Sequence, residues 1–271
     1  MLVKRTNPTL MDLTSDMPLR AVGRVCSGEG FLLAELDYAP GLRLGAHCHD
    51  ISNVSLVVTG SLEEESDRGV VVAGPGAVVF KPRGTTHSNR VGEGGATVFS
   101  LRFDPTWSVI AAPLREYLWC SCDAALSVML VLYALSRGRG VGEDQVRIGL
   151  AAACDSGSTI GFESGPAWLA EAQRRIHADE GPSRIQERAR ILDTHPVYFA
   201  RAFRRHLGTS PREYVRRQRI TLAAHRLLST TETPSRIAAV AGFADQAHLC
   251  RCFRRLIGLT PGSYRRLAGM M

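Results

Sequence analysis

The sequence predicts an α+β protein of more than one domain, with strands in the N-terminal part and helices in the C-terminal part. From about Val22 to Phe103, short β-branched runs such as FLLAELDY and SNVSLVVTG alternate with Gly and Pro, a pattern typical of an all-β domain. Beyond Pro105, apolar residues recur at spacings of three and four, which indicates helices. One segment near the C-terminus occurs twice, fifty residues apart, and this repeat predicts two like helical halves.

Positive charge is concentrated in the C-terminal part of the chain. From Pro166 to the end there are 19 arginines and 8 acidic residues, a formal charge of +11. The residues before Pro166 include 14 basic and 18 acidic ones, a formal charge of −4. This imbalance predicts a polyanionic partner for the C-terminal part alone, the alternative being a solvated arginine-rich surface.

Cysteine usage and apolar content indicate where the protein works. Seven cysteines without a regular framework are typical of a reducing compartment. The N-terminal residues have no apolar core of signal-peptide length, and the longest apolar run, AALSVMLVLYAL, covers about half a bilayer. We therefore expect a cytoplasmic protein that does not enter a membrane.

The chain divides into four parts. Residues 1–104 form the β domain, and 155–165 form a Gly- and Ser-rich linker. Between them, 105–154 form a helical segment whose LREYLWCSC and LSVMLVLYAL stretches are more apolar than one small domain needs, which predicts a homodimer interface. The alternative is that these helices pack on the β domain and leave a monomer. Residues 166–271 contain seven helices with tight breaks, SRIQERARIL among them.

The repeat consists of FRRHLGTSPREYVRR, from Phe203, and FRRLIGLTPGSYRR, from Phe253. In the first copy, Ser210, a following Pro and Glu213 form a capping box that opens a long helix. Each copy predicts a short helix, a sharp turn and an Arg-bearing helix.

The turns differ between the two copies. In the second copy, Gly242 supplies the turn and Asp245 is the expected N-cap of the next helix. In the first copy Asp193 stands where the glycine would be, and Asp tolerates a left-handed conformation better than most residues.

The Arg-bearing helix of each copy has a core face and a polar face. Phe199 and Phe203 in one copy, and Leu249 and Phe253 in the other, are four residues apart and face the core. Small and polar residues allow a helix to enter a major groove, where Arg reaches guanine or phosphate. The residues expected to contact DNA are Val197, Ala200, Arg201, Arg204, Arg205, Gln246, Ala247, His248, Arg251, Arg254 and Arg255. Among them Arg204, Arg205, Arg254 and Arg255 suit phosphate or solvent better than bases.

Residues of about 166 to 268 resemble the double helix-turn-helix domain of AraC-type bacterial transcription regulators, above all in IAAVAGFADQAHLCRCFRRLIGLTPGSYRR. The resemblance implies two helix-turn-helix units, joined by the helix PREYVRRQRITLAAHRLL, that enter successive major grooves of double-stranded DNA. It implies that Val197, Ala200 and Arg201 face bases in the first unit, and Gln246, Ala247, His248 and Arg251 in the second. RNA polymerase is then a candidate partner.

The N-terminal part resembles a cupin barrel through two motifs. GLRLGAHCHDISNVSLVVTG, from Gly41, fits the first motif with Asn53 at the glutamate position, and GAVVFKPRGTTH, from Gly76, fits the second. In AraC-type regulators such a barrel senses an effector. The resemblance implies a small-molecule pocket lined by His47, His49, Asn53 and His87.

Metal-bearing cupins hold a divalent ion with two histidines of the first motif, its glutamate and the histidine of the second. Here His47 and His49 share one face of a strand, and with His87 they could bind zinc, nickel or iron. Because the carboxylate is missing, we favour an organic pocket without metal.

We therefore expect a DNA-binding transcription regulator that responds to a small molecule and is not an enzyme. The alternatives are a cupin-type metal-dependent enzyme and a metal sensor, each with a DNA-binding tail.

Overall fold

The computed structural model describes residues 22–103, 118–120, 122–138, 140–155, 165–177 and 192–269. Strands come first along the chain and helices follow, as predicted. The predicted linker at 155–165 lies outside the described residues except at its two ends, and so does SRIQERARIL except for Leu192. Across the described ranges, each helix is too short or too polar to span a bilayer.

Among the described residues, the N-terminal part contains eight strands that pair antiparallel. They are β1 (Val22–Gly28), β2 (Phe31–Tyr38), β3 (Arg43–His47), β4 (Ser52–Ser66), β5 (Gly69–Ala73), β6 (Val78–Lys81), β7 (His87–Phe103) and β8 (Leu118–Cys120).

The sheet folds over on itself because β4 and β7 both bend. Residues 52–60 of β4 pair with 96–103 of β7, and residues 62–66 pair with 87–91. At the bend lie Gly60 (φ 70°) and Gly95 (φ 74°), and a Cβ on Gly60 would overlap the Gly95 carbonyl. The strand path β1-β2-β7-β4-β6-β8 is open at both ends among the described residues, so hydrogen bonding there does not close the expected barrel.

One part of the predicted helical segment was wrong. LREYLWCSC was expected to be helical, but Leu118–Cys120 is a strand whose Trp119 pairs with Val79 of β6. Trp119 is buried against the apolar cluster of the sheet. Pairing and burial outweighed local periodicity, which has little power over three residues.

Eight helices follow among the described residues. They are α1 (Asp123–Arg137), α2 (Glu143–Asp155), α3 (Ala167–His177), α4 (Pro196–Leu207), α5 (Pro211–Ser229), α6 (Pro234–Val240), α7 (Gln246–Ile257) and α8 (Pro261–Leu267).

Helix α1 lies between the sheet and the C-terminal helices. Its buried residues Leu126, Met129 and Leu130 belong to one apolar cluster that also contains β-strand residues and residues of α5, α7 and α8. The Tyr264 hydroxyl of α8 donates a hydrogen bond of 2.7 Å to the Leu130 carbonyl. The apolar face that suggested a dimer interface is therefore covered within the chain.

The two copies of the repeat take equivalent local structures. Ser210 forms the predicted capping box with Glu213, and Thr260 caps α8 in the corresponding position. Gly208 (φ 63°) and Gly258 (φ 80°) end α4 and α7 in the left-handed conformation, which glycine adopts without steric cost. The repeated residues thus specify the ends of the helices.

Candidate nucleic-acid interface and N-terminal pocket

Helices α4 and α7 each bury one face and expose the other. Phe199 and Phe203 of α4, and Leu249 and Phe253 of α7, are fully buried, as predicted. Nine of the eleven residues expected to contact DNA are exposed, and Ala200 and His248 are half-buried. The two helices therefore present the predicted polar faces to solvent.

The arginines on these faces differ in their partners from several other C-terminal arginines. Arg174 binds Glu63, Arg217 binds Asp123 and Arg226 binds Glu232, each through an ion pair. By contrast, none of the six on α4 and α7 pairs with a carboxylate among the described residues; they are Arg201, Arg204, Arg205, Arg251, Arg254 and Arg255. Six exposed guanidinium groups on two helices form a surface suited to phosphates.

The start of α7 is fixed by a cap and by a contact from α6. The Asp245 side chain accepts a hydrogen bond of 2.6 Å from the His248 backbone N–H, so the predicted N-cap is confirmed. The Ser235 hydroxyl donates to Gln246 Oε1 over 2.6 Å, which leaves the Gln246 amide N–H groups for an outside acceptor. Sequence reasoning missed Ser235, whose role depends on the angle between two helices.

His248 is turned toward its own loop. Its ring packs edge-on against Phe243, with centroids 5.3 Å apart, and its Nδ1 accepts a hydrogen bond of 3.4 Å from the Ala244 N–H. Only Nε2 therefore remains for a base, so His248 offers less to DNA than the sequence suggested.

The start of α4 uses different residues for the same geometry. Asp193 has φ 48°, the single positive value at a non-glycine residue in the described ranges, as its position in the turn predicted. His195 is the N-cap, and its Nδ1 accepts from the Val197 N–H over 3.3 Å. Tyr198, which was not selected from the sequence, is 55% exposed beside Val197 and is a further candidate for contact with DNA.

The folded sheet encloses a pocket of about 70 Å³. His47, His49, Asn53 and His87, the residues selected from the sequence, all lie on its wall. One water molecule requires about 10–15 Å³ of such cavity volume, so the pocket accommodates roughly five water-sized groups.

The three histidines converge. Their ligand atoms all lie within 4.8 Å of one another, and the rings of His47 and His87 have centroids 4.4 Å apart. His47 Nδ1–H donates to the Gly45 carbonyl over 2.7 Å, and His87 Nδ1–H donates to that of Thr85 over 3.1 Å. In both rings this leaves the Nε2 lone pair available.

The environment of His49 and His87 favours neutral rings. Burial lowers the pKa of His49 to about 3, with further lowering by Arg102 and Lys81. Burial, followed by the Lys81 charge, lowers the pKa of His87 to about 4. Neutral imidazoles fit a zinc, nickel or iron ion, but the nearby cations oppose one. These histidines would hold the ion, which would supply Lewis acidity.

Three charged residues of the pocket were not identified from the sequence. Glu64 is buried, binds the Lys81 ammonium through an ion pair and accepts from Asn89 Nδ2 over 2.8 Å. Arg102 is 4% exposed and lies on the same wall. Strand alternation alone does not reveal them, because which side of β4, β6 and β7 faces inward depends on the bend.

With this geometry established, known proteins provide a comparison. Residues 188–267 match a family model described as a helix-turn-helix domain. The HTH-type transcriptional regulator GlxA of Rhizobium meliloti is 35% identical over 104 residues, which cover 38% of this chain and 32% of that protein. A Streptomyces lividans protein named as an AraC-like transcription regulator is 35% identical over 101 residues, covering 36% and 33%.

The C-terminal part of the chain is therefore a helix-turn-helix domain. It is related to the domains of AraC-type transcription regulators, and the match spans about a third of the length of those relatives. A crystal structure of an apo ToxT variant from Vibrio cholerae is 14% identical, covers 89% of this chain and 99% of that one, and has a TM-score of 0.39. A TM-score this low says nothing further about the N-terminal sheet.

Proposed function

We propose that this protein is a cytoplasmic, sequence-specific DNA-binding transcription regulator whose N-terminal sheet, a cupin-like sensor, binds a small-molecule effector. It acts through DNA contacts and not as an enzyme. RNA polymerase is a further proposed partner, and the protein works as a homodimer.

The six arginines without carboxylate partners carry this proposal. They occupy the outer faces of two helices that are related by the sequence repeat. Elsewhere in the C-terminal part, Arg174, Arg217 and Arg226 form ion pairs with Glu63, Asp123 and Glu232. A surface of this kind supports the binding of base edges by Arg201 and Arg251. The remaining four would bind phosphates; they are Arg204, Arg205, Arg254 and Arg255.

Selection of bound DNA from a random pool tests the proposal. We expect the full chain to enrich two short elements about one helical turn apart, because each unit would read one major groove. Binding should weaken by about a hundredfold between 50 and 200 mM salt, as expected when about four phosphates are contacted. Enrichment of no sequence, or affinity that ignores salt, would contradict the proposal.

The converging histidines favour a second candidate, a metal-dependent enzyme or metal sensor with a DNA-binding tail. Elemental analysis of tag-free protein distinguishes the two. Near one equivalent of zinc, nickel or iron, lost on triple substitution of His47, His49 and His87 by Ala, would support the metal hypothesis. Negligible metal together with intact DNA binding would support the organic pocket.

A further inference from the structure

The inward side chains of β4 and β7 change from polar to apolar and back along each strand. On β7 they are His87, Asn89 and Val91 before the bend, and Val98, Ser100 and Arg102 after it. On β4 they are Asn53, Ser55, Val57, Leu62 and Glu64. Because both strands fold over at their middle, the apolar residues meet at the bend and the polar residues meet at the tips.

Register fixes the order of these residues across the sheet. Asn53 is opposite Lys81 on one side and Arg102 on the other, so the three side chains form one row on the inward face. The next row contains Ser55, whose hydroxyl donates to Asn53 Oδ1 over 3.2 Å and lies 3.1 Å from Ser100 Oγ. The third row is Val57 beside Val98. From the first row to the third, the inward side chains thus change from charged and amide groups to hydroxyl groups and then to hydrocarbon.

The charged end of the pocket is positive. Among the described residues that line it, Lys81 and Arg102 are cations and Glu64 is the one carboxylate. Glu64 is already bound by Lys81 and Asn89, and Lys81, Glu64 and Arg102 are all less than 10% exposed. A net positive charge held away from water stabilises an anion placed beside it.

We propose that the pocket binds a small organic carboxylate, with its charged group in the row formed by Lys81, Asn53 and Arg102 and its apolar body against Val57, Leu62, Val91 and Val98. This rests on the proposed function in one respect, that the pocket is the effector site. The cavity of about 70 Å³ limits the occupant to a short molecule. The same positive field opposes a divalent cation at the histidines.

Matched probes test the charge requirement without any mutation. Acetate, propanoate and butanoate are each compared with the corresponding neutral amide, by calorimetry on the full chain treated with EDTA. We expect at least one carboxylate to bind about tenfold more tightly than its amide, since charge-assisted hydrogen bonds exceed neutral ones. If no carboxylate binds more tightly than its amide, or if no carboxylate binds at about 10 mM, the proposal is overturned. Carboxylate binding that requires added zinc also overturns it.

A substitution within the row provides a second test. Asn53→Asp places a carboxylate between the two cations with almost no change of shape, and should abolish carboxylate binding. Ser52→Asp adds the same charge one residue away, on the opposite face of β4, and should leave binding unchanged. Ser52 Oγ accepts from the Arg83 N–H over 3.1 Å, a bond that Asp can also accept. Thermal unfolding confirms that both variants are folded, and unchanged carboxylate binding in Asn53→Asp would refute the assignment.

DNA binding is measured on the same preparations. If the chain binds DNA but does not prefer any carboxylate over its amide, the proposed regulator stands and the carboxylate site is refuted. If it prefers carboxylates but binds no DNA, the carboxylate site stands and the proposed regulator is refuted.

Discussion

Glu35 of β2 and Arg137 of α1 form a buried, bidentate ion pair. Arg137 Nε donates to one Glu35 oxygen over 3.1 Å, and Nη2 donates to both oxygens. The two side chains are 9% and 11% exposed. Arg137 Nη1 also donates to the Leu228 carbonyl of α5 over 3.2 Å. One guanidinium therefore connects the sheet, α1 and the long helix of the helix-turn-helix domain.

Removal of one partner should strongly destabilise the protein. Glu35→Leu leaves the Arg137 charge buried without its carboxylate, and we expect the free energy of unfolding to fall by about 3–5 kcal/mol. The double variant Glu35→Leu/Arg137→Leu should recover most of that loss. Urea unfolding provides the measurement. Glu143→Ala, which breaks the half-exposed pair with Arg147, is the control and should cost about 0.5 kcal/mol or less.

The two outer helices should read different positions in DNA. Arg201→Ala and Arg251→Ala should each weaken specific binding by about 1–3 kcal/mol and relax base selection about one helical turn apart. Arg254→Ala should instead weaken binding evenly across sequences, as loss of a phosphate contact does. It should also reduce by about one the slope of log affinity against log salt concentration. Selection of bound DNA with each variant distinguishes these effects. Loss of selectivity at the same base pairs in both base-reading variants would exclude a two-groove arrangement.

The sequence predicted local features better than long-range ones. The caps at Ser210 and Asp245 and the left-handed Asp193 depend on a few neighbouring residues, and the structure confirms them. The fully buried Phe199, Phe203, Leu249 and Phe253 follow from helical spacing, which is also local.

Features that depend on distant pairing were missed. Trp119 belongs to a strand only because β6 lies beside it, and no periodicity exists over three residues. Glu64, Lys81 and Arg102 point into the pocket because β4 and β7 bend at Gly60 and Gly95. The contact of α1 with the C-terminal helices was likewise invisible, since an apolar helix face does not specify its partner.

Because the C-terminal helices cover the apolar face of α1, we expect the dimer contact on α2 instead. Ile148 is 70% exposed, and Ala152, one turn later, is exposed on the same side. If two copies meet there, Ile148→Asp should convert the dimer to a monomer, because an aspartate cannot be buried unpaired in an apolar contact. Size-exclusion chromatography with light scattering measures the mass. Val70→Asp, at a 52% exposed position on β5, is the control and should remain dimeric. A wild-type chain that is monomeric at about tens of micromolar would contradict the homodimer.

His177 of α3 should make the fold sensitive to acid. Its Nε2 lies 2.7 Å from the Tyr214 hydroxyl, which also accepts from Gln173 over 3.3 Å, so the hydroxyl donates to a neutral His177 ring. Its Nδ1 is buried and makes no hydrogen bond among the described residues. Burial lowers the pKa of His177 to about 3 from an ordinary value of 6.5.

The sign of the effect follows from proton linkage. Between pH 6.5 and about 3 the unfolded chain binds a proton at His177 that the folded chain does not, so the free energy of unfolding rises with pH across that range. The contribution is complete above pH 6.5 and is lost as the pH falls, by at most about 1.4 kcal/mol per pH unit for one proton. Burial lowers the pKa of His49 and His87 as well, so several histidines act in the same direction.

His177→Gln should therefore reduce the slope of the unfolding free energy against pH by about one proton without removing it. Urea unfolding at several pH values between 7.5 and 4.5 measures the slope, and Tyr214→Phe, which leaves the His177 ring in place, should retain the wild-type value. An unchanged slope in His177→Gln would show that this ring is not protonated on unfolding.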